Sequence, residues 1–442
     1  MKKYLSFSRI LVAVIVLLTL LHVVLLSVSP PGFFLDESAG AAHVVAMLQQ
    51  GTNAHGQSWP LFSASLGGGY TTPIYLYPLV GWAAIFGTSE LALRAFSLAA
   101  TFVAIAAITA TAALWKGRRF SLIAAVTSLA LPWGWIQGSV AWDPALVPAV
   151  MAISLFIFTL LIRKKQNYFT NAALLVVLAL ALVALAYLYP PARVTAPLLF
   201  LVFYVVLLAK KVVSYRTAFV ACLLALLAAL PLAAFMFQPE SLERSRELSV
   251  FHDQSILGGV GLFMSNIALL LNPIFLFITG DPNQRHATGF QGVLGLAAVP
   301  AAIMACVLAF KTSIRRPSLP AFMNNSTAQL SLLCLIGIGF SIAGSALTNE
   351  GQPHSLRASA AWPFFAILLA IGWSAILNQR RSIRIAAISI FAVATIAYIV
   401  DLAIYYPIRS HDAFDTGIVR QLQLGQDVPN YPNLSKHYYQ NR

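Results

Sequence analysis

Few of the 442 residues can do acid–base or ionic chemistry, and those that can gather in short motifs. Asp36 and Glu37 stand side by side just after an apolar run. Two adjacent carboxylates at an apolar boundary are costly to desolvate unless they are paired or used. Asp143 stands between Trp142 and Pro144. Arg193 closes Tyr189-Pro190-Pro191-Ala192-Arg193, and Arg285 and His286 close Gly280-Asp281-Pro282-Asn283-Gln284-Arg285-His286. His354 and Arg357 share Gln352-Pro353-His354-Ser355-Leu356-Arg357. A positioned carboxylate can take a proton from a hydroxyl or amine as a general base. Arg and His together can hold a phosphate, Arg through its bidentate fork. Each motif also has a plainer reading. Asp36-Glu37 reads as a solvated helix-end pair, and Asp143 as a helix N-cap with Pro144 at the first helical position. Arg193 reads as a residue snorkelling to an interface, and the two His/Arg motifs as ordinary loop charges.

The elements that must position these residues are apolar. The chain is 59% hydrophobic and 10% charged, against ~25% charged in soluble domains, which leaves too little polar surface for a soluble fold. Apolar runs near the ~20 residues that cross a bilayer fall at 10–28, 91–115, 119–138, 144–162, 171–189, 194–209, 217–237, 292–310, 328–347, 359–377 and 385–404. The expectation is an all-α polytopic membrane protein with about eleven transmembrane helices. Two further runs are apolar but interrupted: 73–87 by Pro73 and Pro78, and 256–279 by Gly258, Gly259, Gly261, Asn266 and Pro273.

Charge sets the expected orientation. Of the 28 Lys and Arg, eighteen lie in six clusters of three: Lys2, Lys3, Arg9; Lys116, Arg118, Arg119; Arg163, Lys164, Lys165; Lys210, Lys211, Arg216; Lys311, Arg315, Arg316; Arg380, Arg381, Arg384. With eleven crossings all six fall on one face, which the positive-inside rule makes cytoplasmic. The other ten Lys and Arg share the outer face with all 14 acidic residues. A crossing by either interrupted run would scatter the clusters, so both are expected as interfacial helices in the first and fourth outer loops, with the N-terminus in and the C-terminus out. The first run ends in Ser-Val-Ser-Pro-Pro rather than a small-x-small cleavage site and is expected as a retained anchor. The expected membrane unit is 1–404, with outer loops 29–90, 139–143, 190–193, 238–291 and 348–358, followed by a short outer tail, 405–442. The +14 formal charge is therefore topological, and triplets separated by pairs of crossings do not make a nucleic-acid surface.

The polar chemistry lies in the outer loops, while the spans hold little beyond His22, Arg94 and Asp401. A transporter or lipid flippase, the alternative class, needs ionisable residues near the midplane, commonly on paired broken helices. A non-catalytic scaffold leaves the carboxylate pair and the two His/Arg motifs without a use. Cys222, Cys306 and Cys334 fall in spans and imply no disulfide framework. With no His-x-x-His or Cys-x-x-Cys spacing, neither metal nor cofactor is expected, because Arg alone can meet the need for cations.

In order and placement, Leu35-Asp36-Glu37, Gly87-Thr88-Ser89-Glu90 leading to Arg94, Trp142-Asp143-Pro144, Tyr189-Pro190-Pro191-Ala192-Arg193, Gly280-Asp281 through Arg285-His286, and Pro353-His354-Ser355-Leu356-Arg357 resemble a family. It is that of the bacterial dolichyl-phosphate-mannose protein mannosyltransferases, which includes the lipid A aminoarabinose transferases. The resemblance implies a GT-C fold and inverting hexosyl or pentosyl transfer from a polyprenyl-phosphate-linked sugar to a protein, lipid or glycan acceptor. It further implies a bacterial cytoplasmic membrane with the active site facing the periplasm or exterior. By it, Asp36 is the base, with Glu37 beside it and Asp143 orienting the acceptor or reacting centre. Arg193, Arg285, His286, His354 and Arg357 are then the candidates for the donor phosphate. The departure is at the C-terminus, where many members carry a folded outer domain and this chain has only its tail.

Overall fold

The computed structural model describes residues 2–65, 69–315, 324–414 and 421. Gly67 and Gly68 of the first-loop glycine run, Arg316 of one basic cluster and most of the tail beyond 414 lie outside the described residues. The long apolar runs are helical because nothing else satisfies backbone groups in hydrocarbon. In chain order, α1 (Lys2–Leu25) is followed by α2 (Leu35–Gln50), a two-residue hairpin of β1 (Ser63–Ala64) on β2 (Tyr70–Thr71), and α3 (Pro73–Phe86). Then come α4 (Glu90–Lys116), α5 (Arg118–Ala130), α6 (Pro132–Gly138), α7 (Val147–Arg163), α8 (Tyr168–Leu188), α9 (Ala192–Ala209) and α10 (Tyr215–Met236). The second half has α11 (Pro239–Glu247), α12 (Ile256–Leu270), α13 (Val299–Arg315), α14 (Ser326–Ala346), α15 (Trp362–Ile376), α16 (Arg381–Val400) and α17 (Tyr406–Arg409). Among the described residues ten helices are long and apolar enough to cross a membrane, or eleven when α5 and α6 count as one span. That pair bends by 63° where Pro132 follows Leu131, since proline removes a backbone donor and crowds the preceding turn.

Contacts divide the bundle into two ends. At one, Arg119 lies over Phe7 and Arg163 over Trp115, Lys116 Nζ donates to Thr327 Oγ1 (2.8 Å), and Tyr168 Oη meets Thr217 Oγ1 (2.9 Å). Three of the six basic clusters contribute to or flank these contacts. At the other end, the loops after α1, α6 and α14 and the turn before α13 meet one another.

Length and composition alone class Ile256–Ile278 as a candidate span, but its surroundings turn it back. Before it, Val250 N–H donates to Leu347 O (3.0 Å) and Asn349 N–H to Leu248 O (2.9 Å). Midway, Asn266 Nδ2 donates to Ala346 O and Thr348 O. After it, Ser355 N–H donates to Asp281. All these anchors lie between 346 and 355, at one end of α14, so the segment begins and ends on the same face. α3 does likewise. Phe62 and Tyr70 before it pack on Phe235 at the end of α10, and Trp82 within it donates to Ala92 O at the start of α4. Its 14 residues span ~21 Å against a hydrocarbon core of ~30 Å. α13 must then cross, because Asp281 lies at the loop end and Thr327 at the basic end. Gly372 of α15 makes room for it: a Cβ there would sit 2.0 Å from Ala301 O, the close backbone approach that small residues allow in membrane helix packing.

The last helix runs past residue 404. α16 passes through a π turn (Asp401–Tyr405) into α17. There Arg409 forks onto both Asp401 oxygens (2.9 Å each) and donates to Thr288 O (2.9 Å), while Tyr406 Oη donates to Gln284 O (2.7 Å). This helix end buttresses the turn that carries Arg285 and His286.

Candidate active site

Asp36 and Glu37 open α2 and, being adjacent on a helix, point about 100° apart. Glu37 goes inward and is 1% exposed. Its Oε1 accepts Arg94 Nε (2.9 Å) and Ala141 N–H (2.7 Å); its Oε2 accepts Arg94 Nη2 (2.8 Å) and Phe34 N–H (2.8 Å). Arg94 completes its own set on Pro30 O and Gly32 O. With both oxygens taken up, Glu37 has no lone pair left for a substrate. Its expected share in catalysis is corrected to a positioning role: it ties the Phe34–Asp36 turn to the Ala141–Asp143 loop across α4. Asp36 is exposed, which leaves it as the carboxylate a substrate can reach.

Asp143 opens a 3-10 turn, Asp143–Leu146, ahead of α7, with Trp142 in the cap position. It is therefore not the N-cap of that turn. Burial pushes its carboxyl up to about 8, with the Asp36 charge adding to the rise; a backbone hydrogen bond and Arg193 oppose it. Two acidic groups that raise one another lie close together, and near neutral pH this pair keeps one proton.

The cations lie around this pair. The Arg285 guanidinium sits 4.1 Å from the centroid of the Phe34 ring, two residues from Asp36, and its Nε donates to Asn283 Oδ1 (3.2 Å). Arg193 is buried enough that its Nε has no hydrogen-bond partner. Arg357 donates to Thr348 Oγ1 (2.9 Å), Glu350 O (2.6 Å) and Glu350 Oε2 (3.0 Å), and it also meets the Tyr189 hydroxyl. Glu350 itself is 63% exposed on its side chain, so only a solvated carboxylate holds the fork.

The two histidines differ from expectation. His286 and His354 stack with ring centroids 4.5 Å apart around Asp281, and Trp142 lies against His286. Burial, then the neighbouring His286 and Arg357, hold His354 well below the usual imidazole range. At neutral pH it is uncharged, so it is not one of the site's cations. Burial pushes Asp281 up, but the His286 hydrogen bond and charge, then His354 and Ser355 N–H, bring it below its ordinary value.

Asp281, Arg94 and Ser355 complete the site without having been singled out as site residues. Arg94 carried a signal, an arginine inside an apolar helix being expensive unless paired. Asp281 carried only its place in a Gly-Asp-Pro turn, and Ser355 none.

Neither a protein-family model nor a curated protein sequence matches the chain. Solved structures do. A crystal structure of ArnT from Cupriavidus metallidurans bound to undecaprenyl phosphate superposes at a TM-score of 0.55 and 13% identity, covering 99% of this chain and 76% of that one. Apo ArnT gives 0.53 at 12% identity, with the same coverage. The oligosaccharyltransferase AglB from Archaeoglobus fulgidus, in complex with an inhibitory peptide and a dolichol-phosphate, gives 0.50 at 13%, covering 98% of this chain and 60% of that one. The chain has the GT-C fold of these structures, built mostly of helices as its hydropathy implies.

Proposed function

We propose that the chain is a membrane glycosyltransferase. It moves a sugar from a polyprenyl-phosphate donor to an acceptor on the face opposite the basic clusters, with inversion at the anomeric carbon. One observation carries the reading: the exposed Asp36 stands between Asp143, whose pKa its charge raises, and Arg285, stacked on Phe34 two residues away. A carboxylate base next to a partly unoccupied guanidinium suits a displacement in which an acceptor loses a proton while a phosphate departs. The fold adds support, since the ArnT and AglB structures that share it hold undecaprenyl phosphate and dolichol-phosphate.

In this mechanism Asp36 takes the proton from the acceptor hydroxyl or amine. Asp143, protonated near neutral pH, donates a hydrogen bond rather than competing as a second base. Arg285, Arg357 and Arg193 receive the leaving phosphate, with His286 beside them. The phosphate leaves as a weak base, so no general acid is needed, and the arginines make a cofactor unnecessary for the displacement. The basic clusters put the N-terminus in the cytoplasm and the site at the periplasmic or outer surface of a bacterial cytoplasmic membrane.

The test is mass spectrometry of prenyl-phosphate sugars and envelope glycans in cells with and without the gene. Loss of one glycan residue with accumulation of its prenyl-phosphate sugar is the expected result. Unchanged pools of both would overturn the reading.

A further inference from the structure

Asp281 enters its cluster from a turn that needs Gly280 at φ +75°, where a Cβ would also sit 2.9 Å from Ala287 Cβ. The carboxylate is 3% exposed and His286 is 8% exposed. Its Oδ1 accepts Asn283 N–H (2.8 Å), and its Oδ2 accepts Ser355 N–H (2.7 Å). Two imidazole nitrogens converge on that same Oδ2: His286 Nδ1 at 3.3 Å and His354 Nδ1 at 3.7 Å. His354 Nδ1 is a buried polar atom with no hydrogen-bond partner, a condition that costs its full desolvation penalty.

We propose that Asp281, His286 and His354 bind a divalent first-row metal ion of the zinc class. The donor set is two imidazoles and one carboxylate, with one ligand atom from each residue within 4.8 Å of the others. Ligands at ~2.0–2.2 Å from a tetrahedral ion stand ~3.3–3.6 Å apart, so separations of 3.3 and 3.7 Å need almost no rearrangement. An ion at this point would give the orphaned His354 nitrogen its partner. The outer contacts that orient metal ligands are also in place: Ser355 N–H on the Asp281 oxygen, and Ser355 Oγ donating to His286 O (3.0 Å). A cavity of about 420 Å³ reaches Asp281 beside Thr279 and Gln284 and gives room for a water at the fourth position.

The ion joins the 280–286 turn to the 353–357 loop, the two segments that bring Arg285 and Arg357 to the site. It is a positioning ion, and its binding does not depend on the proposed transfer.

Untagged, chelator-stripped protein in detergent is titrated with ZnCl2 and, separately, CoCl2, with no donor or acceptor present. One equivalent of tightly held zinc, a visible Co²⁺ absorption band and a zinc-edge X-ray spectrum with two imidazole nitrogens are expected. His354→Gln and the double variant His286→Gln/His354→Gln should weaken binding by at least about 10-fold, in line with the loss of a metal's supporting ligands. Monodisperse gel filtration is the check that these variants fold. Wild-type protein that holds less than about half an equivalent, or a zinc spectrum with oxygen ligands only, overturns the proposal; neither result bears on transfer. Protein that transfers sugar but holds no metal overturns this inference and leaves the transferase reading standing.

Discussion

Glu37 holds Arg94 in a two-pronged ion pair and, through the same carboxylate, the backbone of Ala141, 104 residues further along. This one side chain sets where Asp36 stands relative to Asp143. Removing one partner of a buried pair leaves the other charge unmatched and typically costs ~3–5 kcal/mol. Glu37→Ala and Arg94→Ala should therefore each lower the melting temperature in detergent markedly. The double variant Glu37→Leu/Arg94→Met should lose less than the two single changes together. A Glu37→Ala protein that melts like the wild type would refute the positioning role.

Asp36, although next to Glu37, should behave in the opposite way. Asp36→Asn should reduce transfer by ~10²–10⁴-fold, the range of a lost general base, with the melting temperature unchanged. Turnover close to wild type would remove Asp36 from the mechanism.

Asp143 makes a signed prediction about pH. Its folded-state pKa of about 8 lies above the ordinary carboxylate value. Between those values the folded protein holds a proton that the unfolded chain has released, so this group's contribution to stability falls as pH rises. Asp143→Asn removes that loss. The variant's thermal advantage over wild type should be larger at pH 8 than at pH 5. An advantage that is equal at both, or reversed, would mean that Asp143 is ionised in the fold.

Arg285 and Arg357 should act on the donor. Hydrogen bonds to charged groups contribute ~1.5–3 kcal/mol, so Arg285→Ala and Arg357→Ala should each raise the donor KM by roughly 10- to 100-fold. Because Glu350 holds Arg357 only from solvent, Glu350→Gln should leave donor KM equal or lower. Donor kinetics unaffected by both Arg→Ala changes would place the phosphate elsewhere.

The return of the 256–278 segment can be checked by labelling. In a background lacking the native cysteines, Ser255→Cys and Thr279→Cys should react with a membrane-impermeant maleimide from the same side in sealed vesicles. Reaction from opposite sides would make the segment a crossing and reverse the parity of α13.

Run lengths and charge clusters are one-dimensional quantities, because the bilayer reads a helix by the apolar length it offers and the positive-inside rule reads loops one at a time. The helical membrane fold, the two ends of the bundle and the membership of the site from Asp36 to Arg357 therefore lie in the sequence itself. The division of labour does not. Asp36 and Glu37 are interchangeable as letters, and only packing decides that one faces solvent while the other meets Arg94 and Ala141, 57 and 104 positions away. His286 and His354 read as cations until tertiary contacts bury them around Asp281. The 256–278 stretch reads as an interrupted span until its anchors on 346–355 turn it back. In each case a hydrogen bond between residues distant along the chain made the choice, and such bonds leave no periodicity or spacing in a sequence.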